Sequence, residues 1–313
     1  MSNLRGKVAF VTGASRGIGA AITHELARRG ASVVLAAKSA EKHKILPGTI
    51  HSVAEEIREI ADRHQNDAKA LPLQLDVRDA SAVEEAIEES VSKFGHLDIV
   101  VNNQASAINL SPTTEATPKV YDLVNDINAR GTWLVSKFAF PHLIESARAS
   151  RNPHMVTLSP PLHHGLFDTK VTSPKLFADT RALYSMSKIA MSTAAYAFAA
   201  EGAEYGIASN TLWPYTMIGT SAMRIVNPEA GAERTWRSPR IVADAAVRML
   251  EEDAKVFTGR FIIDELYLRQ SHKFSNELIA AYSLGGKETP FKELAEDLYI
   301  TPDIRKAVQS YYV

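Results

Sequence analysis

No cysteine occurs among the 313 residues, which excludes a disulfide framework, a thiolate metal site and a cysteine nucleophile, and fits a reducing compartment. Net charge is nearly absent too: 35 basic residues stand against 36 acidic ones. No overall field recruits nucleic acid or an anionic membrane, so small molecules and other protein chains are the expected partners. Long apolar runs are missing. The longest, IAMSTAAYAFAA from Ile189 to Ala200, is interrupted by Ser192 and Thr193; at about half the length of a bilayer span it is expected as a buried helix, not a membrane span. The start, MSNLRGKVAFVTG, enters an apolar strand with no leader pattern. The last residues, YYV, do not match a peroxisomal address. These absences predict a soluble, cytoplasmic protein. The ten histidines show no H-E-x-x-H spacing, and no metal site is expected, His163 and His164 reading as solvated loop residues.

What the chain does contain is alternation. Short β-branched runs (KVAFVTG, ASVVLAA, KALPLQLDV, LDIVVNN, PHMVTLS, IASNTLWP, GRFIIDE) are separated by helical patterns over about 17–29, 53–64, 81–94, 118–144 and 180–204. Strands that are apolar nearly throughout, each followed by a helix, predict an α/β fold: a Rossmann-type doubly wound parallel sheet of about seven strands with helices on both faces. One domain is expected over residues 1–268. Residues 269–313 carry three short amphipathic patterns, NELIAAY, PFKELAEDLY and PDIRKAVQSYYV, and predict a helical C-terminal extension. Two connections are unusually long, the basic loop KSAEKHKILPGTIH and the segment from Pro160 to Arg181. Loops of that length in a compact domain are usually functional or mobile.

VTGASRGIGAAI follows the first strand and opens the first helix, placing Gly13, Gly17 and Gly19, with Ser15, Arg16 and Ile18 between them, at the turn. Glycines let backbone approach a pyrophosphate, and a helix N-terminus offers unpaired N–H groups and a positive dipole end. Position between the first strand and the first helix of a βαβ unit makes this a dinucleotide cradle. A site that prefers NAD ends its second strand with an acid for the ribose hydroxyls; here Ala37 and Lys38 stand in that region. The missing carboxylate, with Arg16 and Lys38 nearby, suits the extra phosphate of NADP, leaving NAD as the second option. Farther on, ALYSMSKIAMS sets Tyr184 and Lys188 four residues apart, one turn apart on one helix face. A neighbouring ammonium favours the phenolate, so the pair is expected to lower the Tyr184 pKa toward neutrality and suit it to acid–base work.

TGASRGIG, LDV, VNN, INARGT, YSMSK and TLWP, in that order over about residues 5–268, resemble the short-chain dehydrogenase/reductase family. The resemblance implies that Asp76 and Val77 line the adenine pocket and that Asn102 lies beside the cofactor at the end of strand four. Asn128 would hold a water connected to Lys188. Tyr184 would exchange a proton with the substrate oxygen, while Lys188 binds the nicotinamide ribose and tunes Tyr184. Pro214, Thr216 and Thr220 would meet the nicotinamide and phosphate end. Family members commonly pair through the alanine-rich helix, so a homodimer or homotetramer is implied.

Three departures from the family pattern stand out. NNQASA replaces NNAG, Pro214-Tyr215 replaces Pro-Gly, and strand five ends Ser159-Pro160-Pro161 instead of in two serines. Tyr215 is expected as an aromatic wall near the nicotinamide. A proline cannot donate a hydrogen bond, so either Ser159 takes over the serine role or the site works without a serine. SPP, the basic loop and TLWP together resemble the hydroxysteroid-dehydrogenase-like subgroup, in which the serine before the two prolines is the one assigned to the site, and to which some terpenoid-alcohol dehydrogenases are similar. Leu166, Phe167, Leu176 and Phe177 are expected in the substrate wall. The implied function is an NADP-dependent oxidoreductase interconverting an alcohol and a carbonyl on a fairly apolar small molecule. Two alternatives stay open: imine reduction or a cyclisation in the same fold, and a non-catalytic NADP-binding or scaffolding protein.

Overall fold

A computed structural model describes residues 4–41, 46–103, 110–163 and 181–312. Seven strands form one parallel sheet: β1 (Val8–Thr12), β2 (Ser32–Ala37), β3 (Ala70–Gln74), β4 (Ile99–Asn102), β5 (His154–Leu158), β6 (Ala208–Trp213) and β7 (Phe261–Ile263). Their order is β3-β2-β1-β4-β5-β6-β7, with every neighbouring pair parallel. The side-chain period of two assigns each strand to two layers at once. Val8 and Phe10 of β1 join one buried cluster, while Ala9 and Val11 join the other. Both faces are therefore covered, which is why the strands read as continuous apolar runs instead of alternating ones.

The layer holding Ala9 and Val11 contains helices α1 (Gly17–Arg28) and α2 (Ile50–His64). Opposite it lie α3 (Ala80–Phe94) and the long stretch after β4, which is α4 (Pro118–Asn125), a π-turn (Asp126–Arg130) and α5 (Gly131–Arg148). The expected single helix over 118–144 is thus interrupted by a π-turn. Its extra residue per turn leaves the apolar spacing nearly intact, so periodicity does not reveal it. α6 (Ala182–Gly202) follows the long connection after β5 and packs on the α5 side through Phe198; α7 (Ser221–Val226) follows β6, and α8 (Arg240–Met249) closes the α1 layer.

Beyond β7, α9 (Asp264–His272) runs unbroken across residue 268, followed by α10 (Asn276–Ala280) and α11 (Pro302–Gln309). The middle amphipathic pattern of the extension is not a helix. After a single 3-10 turn at Phe291–Glu293 the chain extends: Met217 N–H donates to the Ala295 carbonyl and Asp297 N–H to the Tyr215 carbonyl, both at 2.9 Å, around an antiparallel bridge of Thr216 with Glu296. Pairing with the segment after β6 outweighs the local helical pattern, as tertiary context does. A buried ion network holds the tail. Glu265 pairs with both Arg237 and Arg269, and the Tyr312 hydroxyl donates to Glu265 at 2.7 Å. Among the described residues no helix is long and apolar enough to cross a membrane.

Candidate active site

Because every strand runs the same way, Thr12, Ala37, Asn102, Leu158 and Trp213 all end on one edge of the sheet. The order turns back between β1 and β4, and a crevice at that switch point is where such sheets take ligands. Gly13 closes β1 with φ +63°, in the left-handed region that favours glycine. Gly19 is required for a different reason: a Cβ there would lie 2.3 Å from the Gly13 carbonyl oxygen and 2.5 Å from Asn103 Nδ2. Asn103 braces the turn, its Nδ2 donating to the Thr12 and Gly13 carbonyls at 3.1 and 3.3 Å. The Thr220 methyl lies against Gly17, and the Thr220 hydroxyl caps α7 by accepting Met223 N–H at 3.1 Å. The loop before α7 therefore reaches the glycine turn.

The charged residues expected beside the cradle are engaged. Arg16 donates to the Pro47 and Gly48 carbonyls at 3.0 and 2.9 Å, folding the end of the basic loop back over the turn that holds buried Ser15 and half-buried Ile18. Lys38, exposed after β2, lies 3.2 Å from Asp76. Asp76 is also gripped by Arg78 through two bonds of 2.9 and 2.6 Å, which holds its carboxyl below the ordinary range. Arg78 is thus a second cation at this end of the edge. Val77 sits against Gly131, where a Cβ would meet its methyl at 2.8 Å.

Deeper along the edge lie buried amides and hydroxyls. Asn102 Nδ2 donates to Ser136 Oγ at 2.9 Å, and Asn128, inside the π-turn, donates to Ser187 Oγ on α6 at 3.0 Å. The Oδ1 atoms of both asparagines, Thr216 Oγ1 and Ser159 Oγ are buried without a hydrogen-bond partner among the described residues. Buried polar groups left so are costly unless a ligand or water completes them. Pro214 is buried between Trp213 and Tyr215.

On α6, Tyr184 is 5% exposed in a cluster with Trp213, Tyr215 and Tyr299. Lys188 is fully buried; its Nζ donates to the Leu158 carbonyl at 2.5 Å and lies 5.2 Å from the Trp213 ring centroid. Four residues on, Ser192 Oγ donates to the Pro160 carbonyl at 2.6 Å. Ser159 is thereby held between two anchors on the same helix that carries the tyrosine. The expected lowering of the Tyr184 phenol does not appear. Burial pushes it well above the ordinary tyrosine value, with Tyr299 and Asp297 adding to the rise. Lys188 is itself brought down to about 7 by burial, so burial works against both charges of the expected ammonium–phenolate pair.

Tyr215, in the same buried cluster as Tyr184, is fastened to the C-terminal segment. Its hydroxyl donates to Glu296 at 2.8 Å and its ring stacks on Phe291 at 6.0 Å. An open, mostly apolar cleft of about 370 Å³ lies beside the first turn of α6, lined by Thr117, Tyr121, Leu183 and Met186 among others. His164, Leu166, Phe167, Leu176, Phe177 and the NNAG-equivalent residues from Gln104 lie outside the described residues. Asn103, Arg78, Asp264 and Asp297 were not singled out by motif reading. Asn103 was legible as the second asparagine of VNN, whereas the two aspartates reach the site only through tertiary contacts.

The short chain dehydrogenase family matches residues 7–151. Hydroxysteroid dehydrogenase-like protein 2 of Danio rerio is 43% identical over 85% of this chain and 59% of the relative, so the chain spans about three-fifths of that relative's length. A short chain dehydrogenase from Mycobacterium thermoresistibile is 39% identical, with a TM-score of 0.80 over 95% of this chain and 96% of that one. Two further structures, each 25% identical over 84% of this chain and 97% of the other, are a Mycobacterium paratuberculosis enzyme bound to NAD, with a TM-score of 0.65, and a Burkholderia cenocepacia enzyme in complex with NADP, with a TM-score of 0.67.

Proposed function

The chain belongs to the short-chain dehydrogenase family of oxidoreductases, and on that premise we propose that it interconverts an alcohol and a carbonyl on a fairly apolar small molecule, with NADP as the preferred cofactor. The observation that carries this reading is the fastening of strand-five's end to α6. Lys188 and Ser192 bind the carbonyls on either side of Ser159, so a hydroxyl with no partner among the described residues is held along the helix that carries Tyr184.

The residues present fit a dinucleotide. The glycine turn is a cradle that a Cβ at Gly19 would fill, and the sheet edge offers buried atoms on Asn102 and Thr216 that have no partner among the described residues. Gly13, Ser15, Arg16, Gly17, Ile18 and Gly19 would hold the pyrophosphate, with Thr220 above them. Val77 and Asp76 would border the adenine, and Asn102, Pro214, Thr216 and Lys188 the nicotinamide end. β2 ends at Ala37 without an acid, and Lys38 and Arg78 place two cations against the single charge of Asp76, which favours an added phosphate over free ribose hydroxyls. When bound, the nicotinamide supplies or takes the hydride.

The chain's own residues then handle the oxygen and its proton. Tyr184, kept in its phenol form by burial, donates to a carbonyl oxygen in reduction and takes the proton back in oxidation. Ser159 donates a hydrogen bond that orients the same oxygen. Lys188 offsets charge on the tyrosine oxygen, and Asn128 Oδ1 accepts from a water leading to Lys188. The apolar cluster around Tyr184 and the cleft beside α6 favour terpenoid, steroid or fatty substrates over charged ones. The proposed division is a catalytic domain over 1–268 and an extension over 269–313, in a homodimer or homotetramer.

The test is turnover of NADPH and NADH with a panel of apolar ketones and aldehydes by the full chain and by Tyr184→Phe. We expect faster turnover with NADPH, and loss of about 10²–10⁴-fold in the variant. Equal turnover by Tyr184→Phe would point instead to chemistry that needs only the shaped pocket. Tight NADPH binding with no hydride transfer to any substrate would point to a binding protein.

A further inference from the structure

Lys188 Nζ is buried at the end of β5 against three groups. It donates to the Leu158 carbonyl at 2.5 Å, lies 3.4 Å from Met191 Sδ and stands over the Trp213 indole, 5.2 Å from its centroid. None of the three carries a full negative charge, and a carbonyl with a thioether compensates a buried ammonium only in part. The indole face adds to them, because its quadrupole attracts a cation more strongly than that of any other side-chain ring.

Trp213 ends β6, opposite Ile263 of β7, and the C-terminal extension fixes the plane of its ring. Its Nε1 donates to the Leu298 carbonyl at 2.8 Å, which satisfies the one donor a buried indole has to place. Tyr299 meets the ring edge-on at 5.6 Å, with 76° between the planes. Tyr299 takes φ +66°, a left-handed conformation that a bulky residue keeps only where its surroundings impose it, and its hydroxyl donates to Ser185 Oγ on α6 at 3.3 Å. One short segment of the extension therefore touches both the indole and the helix that carries Tyr184 and Lys188.

We propose that Trp213 is a positioning residue for the reaction: its indole, locked by Leu298 and Tyr299, presents its face to the Lys188 ammonium and holds it at the end of β5, where the nicotinamide ribose would bind. This rests on the oxidoreductase reading above. The indole acts through Lys188 and touches no reacting atom. With the ring removed, the ammonium keeps only the Leu158 carbonyl and the Met191 sulfur and gains room to move off the ribose position. The extension beyond residue 268 thereby shapes the cofactor end of the site, through a tryptophan that belongs to the sheet.

The contact is read without turnover in the isotope-labelled full chain, from the Lys188 ε-methylene signal, assigned by its loss in Lys188→Met. Wild type should show that signal upfield of the ordinary lysine range through the indole ring current. Trp213→Phe should keep part of the displacement and Trp213→Leu none. Isothermal titration gives the second reading: Trp213→Leu should weaken NADPH about three- to thirtyfold and leave 2′,5′-ADP, the adenine half alone, within about twofold, with Trp213→Phe falling between it and wild type. A merely structural role would weaken both ligands together or neither. Should Trp213→Leu not fold, the wild-type signal and Trp213→Phe carry the test. A wild-type signal in the ordinary lysine range, NADPH affinity unchanged in the variants, equal losses in the two variants, or parallel loss of both ligands overturns the inference. An upfield signal with graded NADPH affinity in a chain that transfers no hydride supports the contact and overturns the oxidoreductase reading; hydride transfer by a chain whose Lys188 signal is not displaced does the opposite.

Discussion

Tyr184 is packed among aromatic rings, and burial raises its phenol above the ordinary tyrosine value. It therefore carries its proton at neutral pH, and in the proposed reaction it would serve first as an acid, becoming a base only when a neighbouring positive charge is in place. Ser159 differs in kind: its hydroxyl is buried and unpartnered among the described residues, so removing it leaves nothing unsatisfied. We expect Ser159→Ala to leave thermal stability within about 0.5 kcal/mol while lowering kcat about ten- to a hundredfold, a loss that steady-state kinetics beside an unfolding curve would separate from destabilisation. The tyrosine, lysine, asparagines and serine of this site were legible because motif order names them in one dimension. Asp297 was not, since it lies more than a hundred residues from Lys188 in the chain and owes its place to the pairing of Thr216 with Glu296. The direction of the Tyr184 shift was misread for a related reason. Spacing shows that an ammonium is near, but not that burial weakens that ammonium as well.

At the scale of elements, strands and helices followed from composition and period, because a sheet buried on both faces demands unbroken apolar runs. Two elements did not. The π-turn over Asp126–Arg130 hides in a helical pattern, yet it is the turn that aims Asn128 at Ser187. PFKELAEDLY carries helical spacing, but its backbone bonds are satisfied by the segment after β6, a partner no local window contains. The glycine turn gives the sharpest test at this scale. In Gly19→Ala the new methyl meets a backbone oxygen that cannot swing aside. We expect a loss of about 1–3 kcal/mol in denaturant titration and at least a tenfold rise in the dinucleotide Kd by isothermal titration. Retained affinity would mean that the cradle is not where the pyrophosphate binds.

For the molecule as a whole, a buried ion network fastens the C-terminal tail. Glu265 neutralises Arg237 and Arg269 in the interior and takes the Tyr312 hydroxyl, tying the tail to the sheet. Glu265→Gln leaves two buried cations short of a countercharge and should cost about 3–5 kcal/mol in denaturant unfolding. A loss below about 1 kcal/mol would show the network to be dispensable. His154 opens β5 fully buried, its Nε2 3.0 Å from the Glu252 carbonyl. Burial lowers it from 6.5 to about 4. The folded value lies below the unfolded one, so this group's contribution is intact above about pH 6.5 and is lost as pH falls toward 4, by up to about 3 kcal/mol. Urea unfolding at pH 7 and pH 4.5 should show that slope in wild type and a smaller one in His154→Gln.

The proposed reaction is hydride transfer to an apolar carbonyl with Tyr184 handling the proton. Its most direct measurement is mass analysis of the alcohol formed from an apolar ketone or aldehyde with NADPH deuterated at nicotinamide C4. Wild type should place one deuterium on the carbinol carbon, while Tyr184→Phe binds NADPH with a Kd unchanged within about twofold and forms at least a hundredfold less product. Unlabelled product, or equal labelled product from the variant, would contradict it.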